Sequence, residues 1–314
     1  MSTNTLFASY APAKLKNPER MHRILVYLAA ITAVMLILFL AVYGFDYYWL
    51  SSAERPFSAK HELLKPSGRI GIKLGILGVG LFFIIFLYAL RKRIGWLSRQ
   101  GATKHWLDFH VVAGVTAPIV IAFHSAFKFH GIAGVAFWMM LSVALSGIIG
   151  RYVYAQIPRS LTAAEASLKE LQSWEGELTQ ELSRQHMFTQ RDLAPLLLVP
   201  TAQQVRAMPL YRALFQMIAL DLMRPFHIAR LRGKVLRVSG MIVSFGGLFR
   251  TSNQELEYVI GAVQRKSSLS KRVAFLNRSQ QVFHLWHVVH RPVSYSFAVL
   301  AVVHIIVVIM LGFA

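Results

Sequence analysis

The sequence predicts an all-α integral membrane helical bundle, with five transmembrane helices and a helical cytoplasmic insert. Three observations predict it. Of the 314 residues, 55% are hydrophobic, and the mean hydropathy is +0.47, above what an ordinary soluble domain carries. The apolar residues gather in five runs close to the roughly 20 residues that a hydrocarbon core requires. Lys and Arg number 34 against 14 acids, a formal charge of +20, and they cluster at the ends of the runs. Basic loops on anionic lipid account for that excess more simply than nucleic acid does, so membrane lipid is an expected partner and nucleic acid is not. The absence of cysteine excludes covalent c-type haem, cysteine-ligated iron–sulfur clusters and disulfides.

The first run, residues 24–44, follows Lys14, Lys16, Arg20 and Arg23 and closes on Phe45, Tyr47, Tyr48 and Trp49. Its long core and lack of a small-residue cleavage pattern predict an uncleaved anchor, not a signal peptide. The other runs cover 70–90, 106–127, 132–152 and 288–313. Arg91, Lys92, Arg93, Arg99 and Lys104 lie between the second and third, and Arg151 and Arg159 follow the fourth. The positive-inside rule then sets the N-terminus in the cytoplasm, and an odd number of spans sets the C-terminus in the periplasm. Arg55, Lys60, Lys65 and Arg69 run against this bias.

The predicted domains are spans one to four (1–154), an insert (155–281) and span five (282–314). In the insert, Thr162 and Glu165 read as a capping box. Leu168, Leu171, Trp174, Leu178 and Leu182 follow on one helical face, with a second amphipathic stretch at 202–232. The run 235–249 is broken by Arg237, Gly240, Gly246 and Gly247, too short for a sixth span and expected to be interfacial or buried. Basic residues including Lys266, Lys271 and Arg272 are expected to attract lipid or an acidic soluble donor.

Two histidine pairs carry the chemistry. His110 and His124 in the third run, and His290 and His304 in the fifth, are each 14 residues apart. On a helix that spacing puts both rings of a pair within about 40° of one face, roughly 21 Å apart along the axis. Spans three and five run in the same direction, so His110 meets the depth of His290 and His124 that of His304. Each cross-helix pair then suits one axially ligated haem, and the expected cofactor is two bis-histidine haems b. Structural histidines are the alternative, weakened by the cost of an ionisable group inside a bilayer. His287, in the ladder His284, His287, His290, competes with His290 as the inner ligand, and equal spacing favours His290. The ladder resembles the boxes of membrane di-iron oxygenases, but that chemistry needs several boxes near one surface.

Gly114, one turn beyond His110, removes a side chain that would collide with a porphyrin face. Ala117 and Ile121 continue its stripe, as Phe297 and Ala301 do on the fifth run. Gly71 and Gly75 form a GxxxG that reads as close helix packing, with a pocket as the alternative. Arg291 and Arg151 are placed for the propionates of an inner haem and Lys128 for those of an outer one, with interfacial snorkelling as the alternative. Pro118 is expected to kink span three, and Pro292 to lie in the first turns of span five.

The segments WLDFHVVAGVTAPIVIAFHSAF (106–127), SGIIGRYVY (146–154) and FHLWHVVHRPVSYSFAVLAVVH (283–304) resemble the ferric-reductase-like transmembrane domain superfamily. They are closer still to its small bacterial di-haem membrane cytochromes b. The resemblance covers the spans and hardly touches the insert. It implies a bundle in the bacterial inner membrane holding two haems b on His110, His124, His290 and His304. It also implies an electron-transfer subunit that works with a quinone or a soluble redox protein, such as a multihaem cytochrome c on the outer face. The fused flavin and nicotinamide domain of the large reductases is not expected, since no GxGxxG follows a strand. Two rival functions are a quinol-oxidising or quinone-reducing module of a larger complex, and a non-redox transporter or assembly anchor.

Overall fold

The computed structural model describes residues 18–157, 180, 188–235, 247, 249–251 and 253–312; helices, turns and loops make up these residues, with no strand among them. The chain divides into two compact units, Met1–Ile148 with His290–Ala314, and Ile149–Val289.

The first unit contains α1 (Pro18–Tyr43), α2 (Phe45–Tyr48), a 3-10 turn (Arg55–Phe57), α3 (His61–Leu64), α4 (Arg69–Arg91), α5 (Gly95–Ser98), α6 (Thr103–His124) and most of α7 (Gly131–Gln156). The C-terminal end of α11 (Gln254–Met310) completes it. Helices α1, α4, α6, α7 and α11 are each long and apolar enough to cross a membrane. Only helices satisfy every backbone group within one segment, which is what a dry hydrocarbon layer demands. Leu40, Leu74, Val120 and Phe123 join α1, α4 and α6 in one buried cluster, and Ala117, Phe137 and Met140 pack with Phe297 of α11 in another. The outward faces stay apolar: Ile31, Met35, Phe39 and Val42 of α1 are all exposed.

The segment between α1 and α4 explains part of the basic charge that ran against the predicted bias. Arg55 is buried and donates to the carbonyls of Leu50, Tyr48 and Ala126. Lys60 donates to the carbonyl of Tyr43 at 2.6 Å and pairs with Asp46 at 2.7 Å. Arg55 thereby holds the end of α6, where Ala126 and Phe127 take left-handed φ values of 49° and 59°. Such values cost a non-glycine residue about 1–2 kcal/mol each, so the turn after His124 persists because its surroundings over-determine it.

The second unit holds α8 (Gln190–Leu197), α9 (Ala202–Ala207), α10 (Leu210–Val235) and the N-terminal part of α11. Capping boxes open α8, through Thr189 and Asp192, and α9, through Thr201 and Gln204. The expected stretch 202–232 is two helices, because Pro209 pushes Met208 into extended backbone. The fifth apolar run is the C-terminal part of a longer helix, since α11 runs unbroken from Gln254. Buried Leu256, Val259, Ile260 and Val263 give its first turns a core to pack on, and Pro292 lies inside the helix. The predicted Thr162–Glu165 box, most of the leucine face and most of the broken run 235–249 lie outside the described residues.

Two buried ion pairs stitch this unit. Arg232 forks onto Glu257 at 2.8 and 2.7 Å and donates to the Gly247 carbonyl. Lys271 and Tyr152 both donate to one carboxylate oxygen of Asp221.

Candidate functional site

Helical periodicity positions the four histidines, and packing against other helices orients three of them. The Nδ1 of His110 lies 3.0 Å from the carbonyl oxygen of Ile85 on α4. That of His124 lies 2.8 Å from the carbonyl oxygen of Gly71, also on α4. A carbonyl only accepts, so each Nδ1 carries the proton and each Nε2 presents a bare lone pair. The Nδ1 of His290 is engaged through a hydroxyl. Ser146 of α7 donates to the Val143 carbonyl at 2.8 Å, which leaves its oxygen to accept from His290 Nδ1, also at 2.8 Å. Donation from one ring nitrogen to an acceptor is the usual way a metal-ligating histidine is held in tautomer and plane. His304 lies within electrostatic range of His124, so α6 and α11 bring these two histidines to one neighbourhood.

The GxxxG of α4 takes both of the roles its spacing left open, packing and pocket. Gly71 supplies the acceptor for His124, and a Cβ on Gly75 would lie 2.9 Å from Cε1 and 3.1 Å from Nδ1 of that ring. Gly75 makes the seat for the imidazole, whereas a Cβ on Gly71 would collide with the Lys65 carbonyl, so that glycine serves close packing of the chain before α4. Gly114 behaves differently. A Cβ there would meet nothing within 4 Å, so close helix approach does not explain that glycine and the surface beside His110 is bare. Pro118 has no N–H to offer the Gly114 carbonyl four residues back, yet α6 is continuous through it.

His287 and His290 separate by geometry. On one helix His290 sits within about 40° of His304 and His287 about 100° away. The His287 ring instead meets Phe283 and Trp286 edge-on, at 4.7 and 4.9 Å. Lys128 and Arg291 are exposed and Arg151 half-buried. The expected basic docking patch loses one member, since Lys271 is 2% exposed and committed to Asp221. Among the described residues no three His, Cys, Asp or Glu side chains gather as a metal cluster, and a centre with two axial protein ligands needs none.

These residues fit a haem by the chemistry of the donor set: imidazoles with Nδ1 engaged by acceptors on neighbouring helices, and a helix surface bared at Gly114. Against family models, curated proteins and solved structures, the chain shows no match.

Proposed function

We propose that this chain is a membrane-bound di-haem cytochrome b that transfers electrons across the bilayer, an electron-transfer subunit within an oxidoreductase complex. The observation that carries the reading is the shared state of His110, His124 and His290. Each has Nδ1 tied to an acceptor on another helix, which fixes the tautomer and the plane of the ring. Histidines kept for packing alone have no need of one tautomer in three places. With His304 they would supply two axial pairs, His110 with His290 and His124 with His304.

Bound haem supplies one-electron chemistry, and the protein supplies position, potential and exclusion of other reactions. The acceptors Ile85, Gly71 and Ser146 orient the ligands and raise their basicity. Two histidines holding each haem would disfavour oxygen activation. Arg151, Arg291 and Lys128 are the candidate counter-charges for propionates. The partners proposed are a quinone or soluble redox protein on one face and, on the outer face, a redox protein such as a multihaem cytochrome c. The location proposed is a bacterial inner membrane, with the N-terminus and the insert in the cytoplasm and the C-terminus in the periplasm.

The test is a reduced-minus-oxidised spectrum of the purified protein with a haem-to-protein ratio. Two low-spin haems b per chain are expected. His290→Ala should remove one of them and His287→Ala neither. A ratio near zero would reject the cytochrome and leave the transporter or anchor reading. Reduction by quinol alone would favour the quinone-linked module.

A further inference from the structure

Helix α10 of the second unit is amphipathic twice over. Ala213, Met217, Ile228 and Leu231 form its buried face. Tyr211, Phe215, Leu222 and Phe226 lie on the opposite side, within about 60° of one another at 100° per residue, and are 61–77% exposed. Burying a large apolar side chain is worth about 1.5–3 kcal/mol, so four of them aligned on one exposed face form a surface suited to being covered.

Charge and tethering indicate the cover. Arg212 and Arg230 are exposed and project about 40° beyond the stripe on one edge. Asp221, the only acid of α10, is turned inward to Lys271 and Tyr152, so the outward surface is apolar and cationic. Tyr152 belongs to the last turns of α7 and donates to the Met217 carbonyl at 3.1 Å and to Asp221 at 2.7 Å. The middle of α10 is thereby fastened to the end of a helix long and apolar enough to cross a bilayer. An apolar stripe edged by arginine, on a helix tied to the terminal turns of α7, is the pattern of a helix lying in the membrane interface.

We propose that α10 is an in-plane amphipathic helix of this kind. Tyr211, Phe215, Leu222 and Phe226 enter the boundary between headgroups and acyl chains of an anionic bilayer, and Arg212 and Arg230 meet lipid phosphates. The inference rests on the second unit alone and is independent of haem.

The chain contains no cysteine, so one nitroxide can be placed at a chosen position in the full-length protein. Phe215→Cys and Leu222→Cys are labelled after reconstitution into vesicles of phosphatidylcholine and phosphatidylglycerol, with Gln203→Cys, exposed on α9, as the aqueous control. Collision with oxygen, which partitions into lipid, is compared with collision with a water-soluble nickel chelate. The oxygen-to-nickel ratio at 215 and 222 is expected to be several-fold above the control. Adding Arg212→Glu and Arg230→Glu should bring it down towards the control. A ratio equal to the control would overturn the proposal, as would a ratio indifferent to the two arginines. Exclusion of both reagents at 215 and 222 would also overturn it, in favour of a protein cover from a second copy or another part of this chain.

Discussion

Substituting alanine for Gly75 tests the seat of His124 directly, because two effects of opposite sign act at one atom. The new Cβ would stand 2.9 Å from Cε1 of His124, whereas carbon atoms settle at about 3.5–4.0 Å. The ring must retreat by roughly half an ångström, and its 2.8 Å bond to the Gly71 carbonyl would then stretch beyond the good range of about 2.7–3.2 Å. Losing such an orienting partner typically costs about 10- to 100-fold in metal affinity, or about 1.4–2.8 kcal/mol. Against this, alanine stabilises a helix interior by about 0.5–1 kcal/mol relative to glycine. The clash therefore wins at the proposed haem while the apoprotein holds or gains stability. Haem titration and thermal melting in detergent, with and without haem, separate the two effects. Gly80→Ala serves as the control, since a Cβ there meets nothing within 4 Å. Wild-type affinity for both haems in Gly75→Ala, with an unaltered spectrum, would refute the seat.

The other predictions concern His290, the buried ion pair and topology. Ser146→Ala removes the acceptor of the His290 Nδ1 proton, and should weaken one haem about 10- to 100-fold or shift its potential; Ser146→Thr, which keeps a hydroxyl, should restore it in the same titration. Lys271→Ala should destabilise the second unit by about 3 kcal/mol, the low end for a broken buried pair because Asp221 keeps a quarter of its side chain exposed, as read by limited proteolysis. Burial raises the Asp221 carboxyl, but donation from Lys271 and Tyr152 outweighs it and holds the group below its usual range. Its contribution is therefore present above about pH 4 and is lost as acid protonates it, so Lys271→Ala should also flatten the acid limb of the stability profile. A reporter fused after Ala314 should be periplasmic and one within 160–280 cytoplasmic; the reverse labelling would invert the proposed electron path.

The helices were legible where a long apolar run is its own evidence, as in α1, α4, α6 and α7. Their ends were less so. A change from polar to apolar composition at residue 288 reads as the start of an element, but a helix continues wherever nothing breaks it. Residues 254–291 contain no proline, and Leu256, Val259, Ile260 and Val263 pack their first turns. The signal that splits α9 from α10 was visible as Met208–Pro209 and was outweighed by the amphipathic period on either side. Basic residues were the least legible. Arg55 and Lys271 count as positive charge in any tally, yet Arg55 satisfies carbonyls at the end of α6 and Lys271 is consumed by Asp221. A charge count cannot tell a headgroup contact from an internal cap.

The histidine spacing could be read because it is a property of one helix, repeated on a second. What activates a histidine is a property of its neighbour. The acceptors for His110 and His124 are backbone carbonyls, which every residue possesses, so no side-chain type at 85 or 71 could mark them. The acceptor for His290 is a serine 144 positions earlier, and that serine is available only because its own proton goes to Val143. The GxxxG of α4 showed that something approaches closely there without showing what. At Gly75 it is an imidazole, and this changes how that glycine would respond to substitution. In a packing motif, Gly75→Ala would disturb the whole interface between α4 and α6. In a ligand seat it disturbs one ring, and through it one metal site, which is why haem content is the more discriminating readout than stability.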